Sequence, residues 1–450
     1  MNIFGKNEKK GDILMKNGKK NLGLLSFLPL FVFLALYVGC GLVFTIMGVE
    51  SPFGKFPRHV ALLAGIAVAL MLAPGIKVDE KLDVLCKNMG NSGVMMIILI
   101  YLMAGGFQGA AAAMGGKDSV INLCLSFVPV QFLIPGVFLI CCLVSTAIGT
   151  SMGTIAAMAP VAIGVAQGAG LNLAAVCAAV IGGSYFGDNL SMISDTTISA
   201  AQGCGSEMKD KFKMNFLIAL PAAIVAMILY GIVGGGASES ITIGSYNVVL
   251  VLPYIVVLVT ALMGMNVAVV LFIGLLMSGV IGMAMGTVTF FDWIGGIAGG
   301  MSDMFSISIV AALISGIIGL IRHYGGIEWI VETIASKIKN RRGAEYGIGL
   351  ISGILSAAMI NNTIAIIITC PIAKEIGAKY KISAKRLASI VDIFACAFIA
   401  LMPHDGGMLI VTELAGCSPL TVLKYSFYIF ALIIVTCITI QFGLLKGDDK

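Results

Sequence analysis

Charge is scarce in this sequence. Asp, Glu, Lys and Arg make up 11% of its 450 residues and apolar types 59%, whereas soluble domains are about a quarter charged. So little charge cannot cover a soluble surface, and a mean hydropathy of +1.03 puts the chain among polytopic membrane proteins. Histidine is down to three residues, and no HExxH, CxxC or other Cys/His ligand spacing occurs, which excludes the usual transition-metal sites. There is no Walker loop and no dinucleotide fingerprint, so no cofactor is expected, and any uphill transport has to be driven by an ion gradient. The eleven cysteines lie mostly inside apolar runs and read as small buried hydrophobes, not as a disulfide framework. The net charge of +5 comes from basic residues in membrane-flanking loops and implies no nucleic-acid partner.

What the chain does have is a series of membrane-length apolar runs, and its principal partner is the lipid bilayer. The first run, Leu24 to Gly48, is long enough for about 30 Å of hydrocarbon at about 1.5 Å per residue. It exceeds a signal-peptide core and has no small-residue cleavage site after it, so it is expected to be retained. Setting the lysine-rich loops on the cytoplasmic side puts 24 of the 28 Lys and Arg inside, with only Lys55, Arg58, Lys117 and Lys424 outside. This arrangement makes both termini cytoplasmic.

Two segments fit neither one crossing nor two. Tyr346 to Ala373 has basic loops at both ends, so both ends share a face, and a re-entrant helical hairpin turning at Ile360 to Asn362 fits its length. About 211 residues earlier, Pro135 to Pro160 forms a matching segment with almost no basic flanks, and its hairpin opens to the other face. Aligning Pro160 with Pro371 puts Ser145 on Ser356 and the tip Gly149 to Ser151 on Ile360 to Asn362. With one residue of slippage Asp195 falls on Asp405. The expected fold is therefore an all-α polytopic membrane protein with an inverted structural repeat, about 10 transmembrane helices, two re-entrant helical hairpins and broken helices at the midplane, as in secondary transporters. Residues 1–20 form a basic cytoplasmic tail, 21–234 the first repeat, 235–247 an extracytoplasmic linker and 248–445 the second repeat.

The stretch GGSYFGDNLSMISDTT, Gly182 to Thr197, is too polar for a membrane helix and reads as the unwound middle of a broken one. Asp188 and Asp195 lie inside that span with no lysine or arginine in it to pair with. An aspartate at the centre of a membrane helix costs about 2.5 to 3.5 kcal/mol on insertion scales, so such residues carry ions or protons, or cap the helix that restarts after the break. The tips, Thr150 and Ser151 in one and Asn361, Asn362 and Thr363 in the other, offer hydroxyl, amide and backbone oxygens to a small cation, or serve as turn chemistry. His404, beside Asp405 in a second break, is either a proton relay or a satisfied interior group. Asp392 and Glu413, toward the ends of their helix, are expected to be solvated, and His59 and His323 to be structural. Gly149 to Gly153 matches G-x-S-x-G, which would make Ser151 and His404 an intramembrane serine protease pair, but the elbow needs a strand before the serine and this context is helical.

On GTSMGT, GGSYFGDNLSMISDTT, NNTIAI and PHDGG the chain resembles the NhaC-type sodium/proton antiporter family, within the broader ion-transporter superfamily. The resemblance implies exchange of Na+ for H+ across the bacterial inner membrane. It points at Asp188, Asn189, Asp195 and Thr196 in the first break and at Thr150 and Ser151 in the first tip. Na+ and H+ would compete for a shared carboxylate, with Asp195 as the expected titrating group and Asp405 as its repeat partner. The family label also covers carriers that look specific for organic solutes, so Na+-coupled transport of an amino acid or carboxylate is the second expectation. Met152 stands where many antiporter members have tryptophan, which bears on the solute and not on the fold. A homodimer is among the possible assemblies.

Overall fold

The computed structural model describes residues 15–16, 19–20, 22–47, 55–127, 129–192, 194–234, 245–263 and 265–445. Most of the basic tail and all but 245–247 of the expected linker lie outside the described residues. Apart from a two-residue antiparallel ladder, Met15–Lys16 with Lys19–Lys20, the described chain is helical. In chain order the α-helices are α1 (Leu28–Ile46), α2 (Arg58–Met71), α3 (Val78–Met89), α4 (Ser92–Ala113), α5 (Gly116–Phe127), α6 (Leu133–Ile148), α7 (Ser151–Gly168), α8 (Leu173–Leu190), α9 (Asp195–Cys204) and α10 (Met208–Gly234). They continue with α11 (Val248–Leu262), α12 (Val267–Ala284), α13 (Phe290–Asp303), α14 (Phe305–His323), α15 (Gly326–Ala335), α16 (Arg341–Met359) and α17 (Asn362–Tyr380). The last are α18 (Ala384–Ala400), α19 (Gly406–Ala415), α20 (Pro419–Leu423) and α21 (Phe427–Gln441).

Among the described residues, eight helical stretches are long and apolar enough to cross a membrane, fewer than the ten crossings and two hairpins expected. Four further apolar helices fall short: Arg58–Met71, Val248–Thr260, Gly406–Ala415 and Phe427–Gln441. Chain breaks explain part of the shortfall, since α19 is what remains of an apolar run cut at Pro403, which has no N–H to donate and disfavours helix at the residue before it.

Two compact units divide the chain, 1–95 with 309–337 and 96–308 with 338–450. In the smaller unit Lys81, 2% exposed, caps the end of α2 by donating to the Leu70 and Leu72 carbonyls at 2.8 and 2.7 Å. The Tyr324 hydroxyl donates to Ala69 O at 2.8 Å, and His323 lies 3.4 Å from Glu80, consistent with a structural role for that histidine.

In the larger unit, backbone features recur 211 residues apart. The left-handed residues Gly149, Gly170 and Gly205 return as Ile360, Lys381 and Gly416. The N-caps Thr150, Asn172 and Ser194 return as Asn361, Ser383 and Asp405, and the helix-interior Pro160 returns as Pro371. The register needs no slip, so the residue matching Asp405 is Ser194 and not Asp195. Helix α6 packs on α8, and α16 on α18. In the first pair Gly183 and Gly187 of α8 meet the α6 backbone, where an added Cβ would lie 2.4 Å from Phe138 O and 2.5 Å from Thr146 N. In the second pair the small residues sit on the other helix: Gly349 and Gly353 of α16 receive the rings of Phe394 and Phe398 of α18. Helix α7 packs on α19, and α17 on α9, so each helical pair leans on the helix that restarts after the other half's break.

Candidate functional site

Helix α8 ends at Leu190, in a run of polar residues, Asn189, Ser191 and Ser194, of types that favour helix ends and turns over helix interiors. Ser191 and Ser194 are both extended, and α9 starts at Asp195. Ser194 occupies the N-cap but makes no side-chain cap bond. Its hydroxyl is spent on Asp188 Oδ1 instead. Thr196 Oγ1 reaches the same oxygen at 3.4 Å and lies 2.7 Å from Ser194 Oγ. Ser151, the first residue of α7, donates to Asp188 Oδ2 at 2.8 Å.

The Asp188 carboxylate, 3% exposed, thus sits among three buried hydroxyls drawn from a hairpin tip, a helix break and a restarting helix. The N-terminal ends of α7 and α9 both face it, and their positive dipole ends offset part of the cost of a buried negative charge. Among the described residues no Lys or Arg forms an ion pair with it. Carboxylate and hydroxyl oxygens are hard ligands, and hydroxyls can turn their lone pairs to a cation or their proton to the carboxylate. No group of three or more His, Cys, Asp or Glu that could hold a metal ion occurs among the described residues.

The other expected site residues are distributed differently. Asp195 is exposed on the first turn of α9, away from the burial expected of it, because the in-register N-cap position belongs to Ser194. Thr150 caps its own helix, with Oγ1 3.5 Å from Gly153 N, and Thr196 joins Asp188 as described. The Asn189 side chain is wholly buried and makes no hydrogen bond, while its carbonyl accepts from Lys211 Nζ at 2.9 Å and Asn215 Nδ2 at 3.0 Å. Asn361 caps α17 by accepting from Ile364 N at 2.9 Å. Asn362 accepts from Thr363 N and points its amide at Cys396 Sγ, 3.6 Å away. All three residues of this second tip are half-buried, and the side-chain bonds of Asn361 and Asn362 go to their own helix and to Cys396, not to Asp188.

Asp405 is buried and caps α19, Oδ2 accepting from Gly407 N and Met408 N at 3.0 and 3.3 Å. The Tyr101 hydroxyl donates to Gly406 O at 2.8 Å, and Met152 of the first tip lies against Gly406, where a Cβ would come within 3.2 Å of its Cε. His404 uses Nε2 on Ala357 O at 3.1 Å, and its buried Nδ1 makes no bond. Ser151 and His404 therefore do not form the hydrogen bond a nucleophile and its base would need.

Two residues central to the site's surroundings were not expected there. Asp392, read as solvated, is 0% exposed and pairs with Lys211 at 2.7 Å, because α18 is packed on every side within the unit. Lys211 itself sits between exposed Lys209 and Lys213 in what reads as one basic loop. Only the alternation of faces on α10 would have singled it out. Glu413, also read as solvated, is half-buried.

A family model described as the Na+/H+ antiporter family matches residues 22–235 and 237–446. Among curated relatives, a malate-2H(+)/Na(+)-lactate antiporter of Bacillus subtilis is 27% identical over 48% of this chain and 45% of that protein. The Na(+)/H(+) antiporter NhaC of the same organism is 32% identical over 33% of this chain and 32% of that protein. The NhaC of Alkalihalophilus pseudofirmus is 22% identical, with 93% of this chain and 97% of that protein aligned. The chain thus spans less than half the length of the first two relatives in its matches to them, and nearly all of the third. Because the family match takes in both halves and almost every residue, the chain is a multi-pass membrane protein that belongs to the Na+/H+ antiporter family.

Proposed function

We propose that this protein is a secondary antiporter that exchanges Na+ for H+ across the bacterial inner membrane, and that Asp188 is where the two ions compete. The observation that carries this reading is the buried carboxylate ringed by Ser151, Ser194 and Thr196 with no basic side chain bonded to it among the described residues. A carboxylate in apolar surroundings is neutralised by a proton or by a cation, and the surrounding hydroxyls suit either state. The 211-residue recurrence of caps and left-handed residues supports an inverted repeat with two re-entrant hairpins, in which both termini are cytoplasmic and the tips meet the breaks at the midplane. Alternating access would then expose Asp188 to one face at a time.

The test uses everted membrane vesicles and a pH-sensitive dye. Wild type and Asp195→Asn should both show Na+-triggered dequenching, and Asp188→Asn should show none at equal expression. Dequenching by Asp188→Asn would overturn the assignment.

A second reading, Na+-coupled exchange of a small organic acid or amino acid, is favoured by the relative named as a malate-2H(+)/Na(+)-lactate antiporter. The buried and unbonded Asn189 amide offers such a solute a donor and an acceptor. Proteoliposomes given a sodium gradient and labelled malate, lactate and amino acids distinguish the two readings. Accumulation of a solute supports the second, and proton flux without any solute supports the first.

A further inference from the structure

Three helices and a side chain from a fourth meet just beyond Asp188. Lys211 Nζ, 0% exposed, is 2.9 Å from Asn189 O at the end of α8, 2.6 Å from Thr197 Oγ1 at the start of α9 and 2.7 Å from Asp392 Oδ2 on α18. Asn215, one turn further along α10, donates to both Asn189 O at 3.0 Å and Asp392 Oδ2 at 2.8 Å. Carboxylate, backbone carbonyl and hydroxyl form the mixed oxygen set that hard cations select. Two more oxygens here, Asp392 Oδ1 and Asn215 Oδ1, are buried and make no hydrogen bond.

We propose that the Lys211 ammonium is a resident cation filling a second, oxygen-lined cation site between α8, α9 and α18, so that the mobile ion is left to the site at Asp188. An ammonium is a compact, strongly hydrated point charge, and it answers the same oxygens that a small metal cation would. Because it is tethered to α10, it neutralises Asp392 without adding an ion to the transport cycle. It also ties the end of α8 to the start of α9 across the break. Removing it strands a buried carboxylate, a costly state. The five oxygens left behind would relieve that state by taking up Na+. On this view Lys211 sets how many sodium ions the protein binds. The inference rests on the exchange reading for the mobile ion at Asp188, and not for the chemistry of the second site.

The test is equilibrium binding of radioactive sodium to the purified full-length chain. Wild type should bind one ion per chain, Lys211→Ala two, and Lys211→Ala/Asp392→Asn one again, since the double variant leaves no uncompensated carboxylate. The difference between the single and the double variant decides the matter. One extra ion in Lys211→Ala supports a resident cation, and equal counts overturn it. A wild-type count of zero would sink the exchange reading, while that difference would still decide this one. Where Lys211→Ala is not recovered folded, Lys211→Gln keeps a donor for Asn189 O, removes the charge and carries the same expectation.

Discussion

Ile360 turns the second helical pair with φ +49°, a left-handed conformation that a β-branched side chain rarely adopts, whereas its counterpart 211 residues earlier is Gly149 with φ +77°. The left-handed region costs an L-residue about 1–2 kcal/mol, so Ile360→Gly should stabilise the protein by roughly 1 kcal/mol once the extra unfolded-state freedom of glycine is deducted. A thermal unfolding midpoint in detergent raised by a few degrees checks this, and an unchanged or lowered midpoint would mean that packing of the isoleucine outweighs the strain. Residue by residue, the sequence was legible where chemistry and position agreed and misleading where burial decided. Asp188, Ser151 and Thr196 could be read from polar residues in an apolar span, and they do come together. Asp195 matches Asp405 only if one residue of slippage is allowed, yet the N-cap geometry turns Ser194 inward and leaves Asp195 exposed. Asp392 reads from the sequence as a solvated residue toward a helix end, but α18 (Ala384–Ala400) places it mid-helix, where the packing of α10 against α18 makes it a buried partner of Lys211.

Among the helices, the two pairs solve one packing problem in opposite ways. In the first, glycines on α8 admit α6; in the second, phenylalanines on α18 fill glycine notches on α16, at positions matched by the same 211-residue spacing. A Cβ at Gly187 would lie 2.4 Å from Ser145 Cβ and 2.6 Å from Cys142 O, so Gly187→Ala must push α6 away. Overpacking of this kind costs about 1–3 kcal/mol. Gly231→Ala on α10, whose added Cβ would have its nearest neighbour 3.9 Å away, should instead be neutral or gain up to about 1 kcal/mol of helix propensity. Fluorescence-detected thermal melts of the two variants should move in different directions, and equal shifts would mean that the close approach is not structural. The turns at Gly149 and Ile360 were legible because tip residues, prolines and flanking charge all pointed to the same places. The count of crossings was not, because several helices are shorter than the apolar runs that contain them.

For the whole molecule, the proposed inverted repeat would make the two tips reachable from opposite faces. With native cysteines removed, Thr150→Cys and Asn361→Cys should be labelled by a membrane-impermeant thiol reagent from different sides, and sodium should slow the labelling at Thr150→Cys, next to the Ser151 that bonds Asp188. Labelling of both from one side, indifferent to sodium, would mean that the tips are ordinary loops. The helical, multi-pass character was legible because long apolar runs separated by charged loops are constraints that survive in one dimension. The transported solute was not legible, since it depends on which side chains face the space between the halves. Exchange at Asp188 requires that one group hold either Na+ or H+. A protonated Asp188 has no charge to offer sodium, so lowering the pH must weaken sodium's hold. In proteoliposomes, the apparent KM for Na+ should rise as pH falls, approaching about tenfold per pH unit on the acid side, as reciprocal linkage between one proton and one cation requires. Maximal exchange at saturating sodium should stay reachable. A KM for Na+ that does not change with pH would contradict competition at a shared carboxylate.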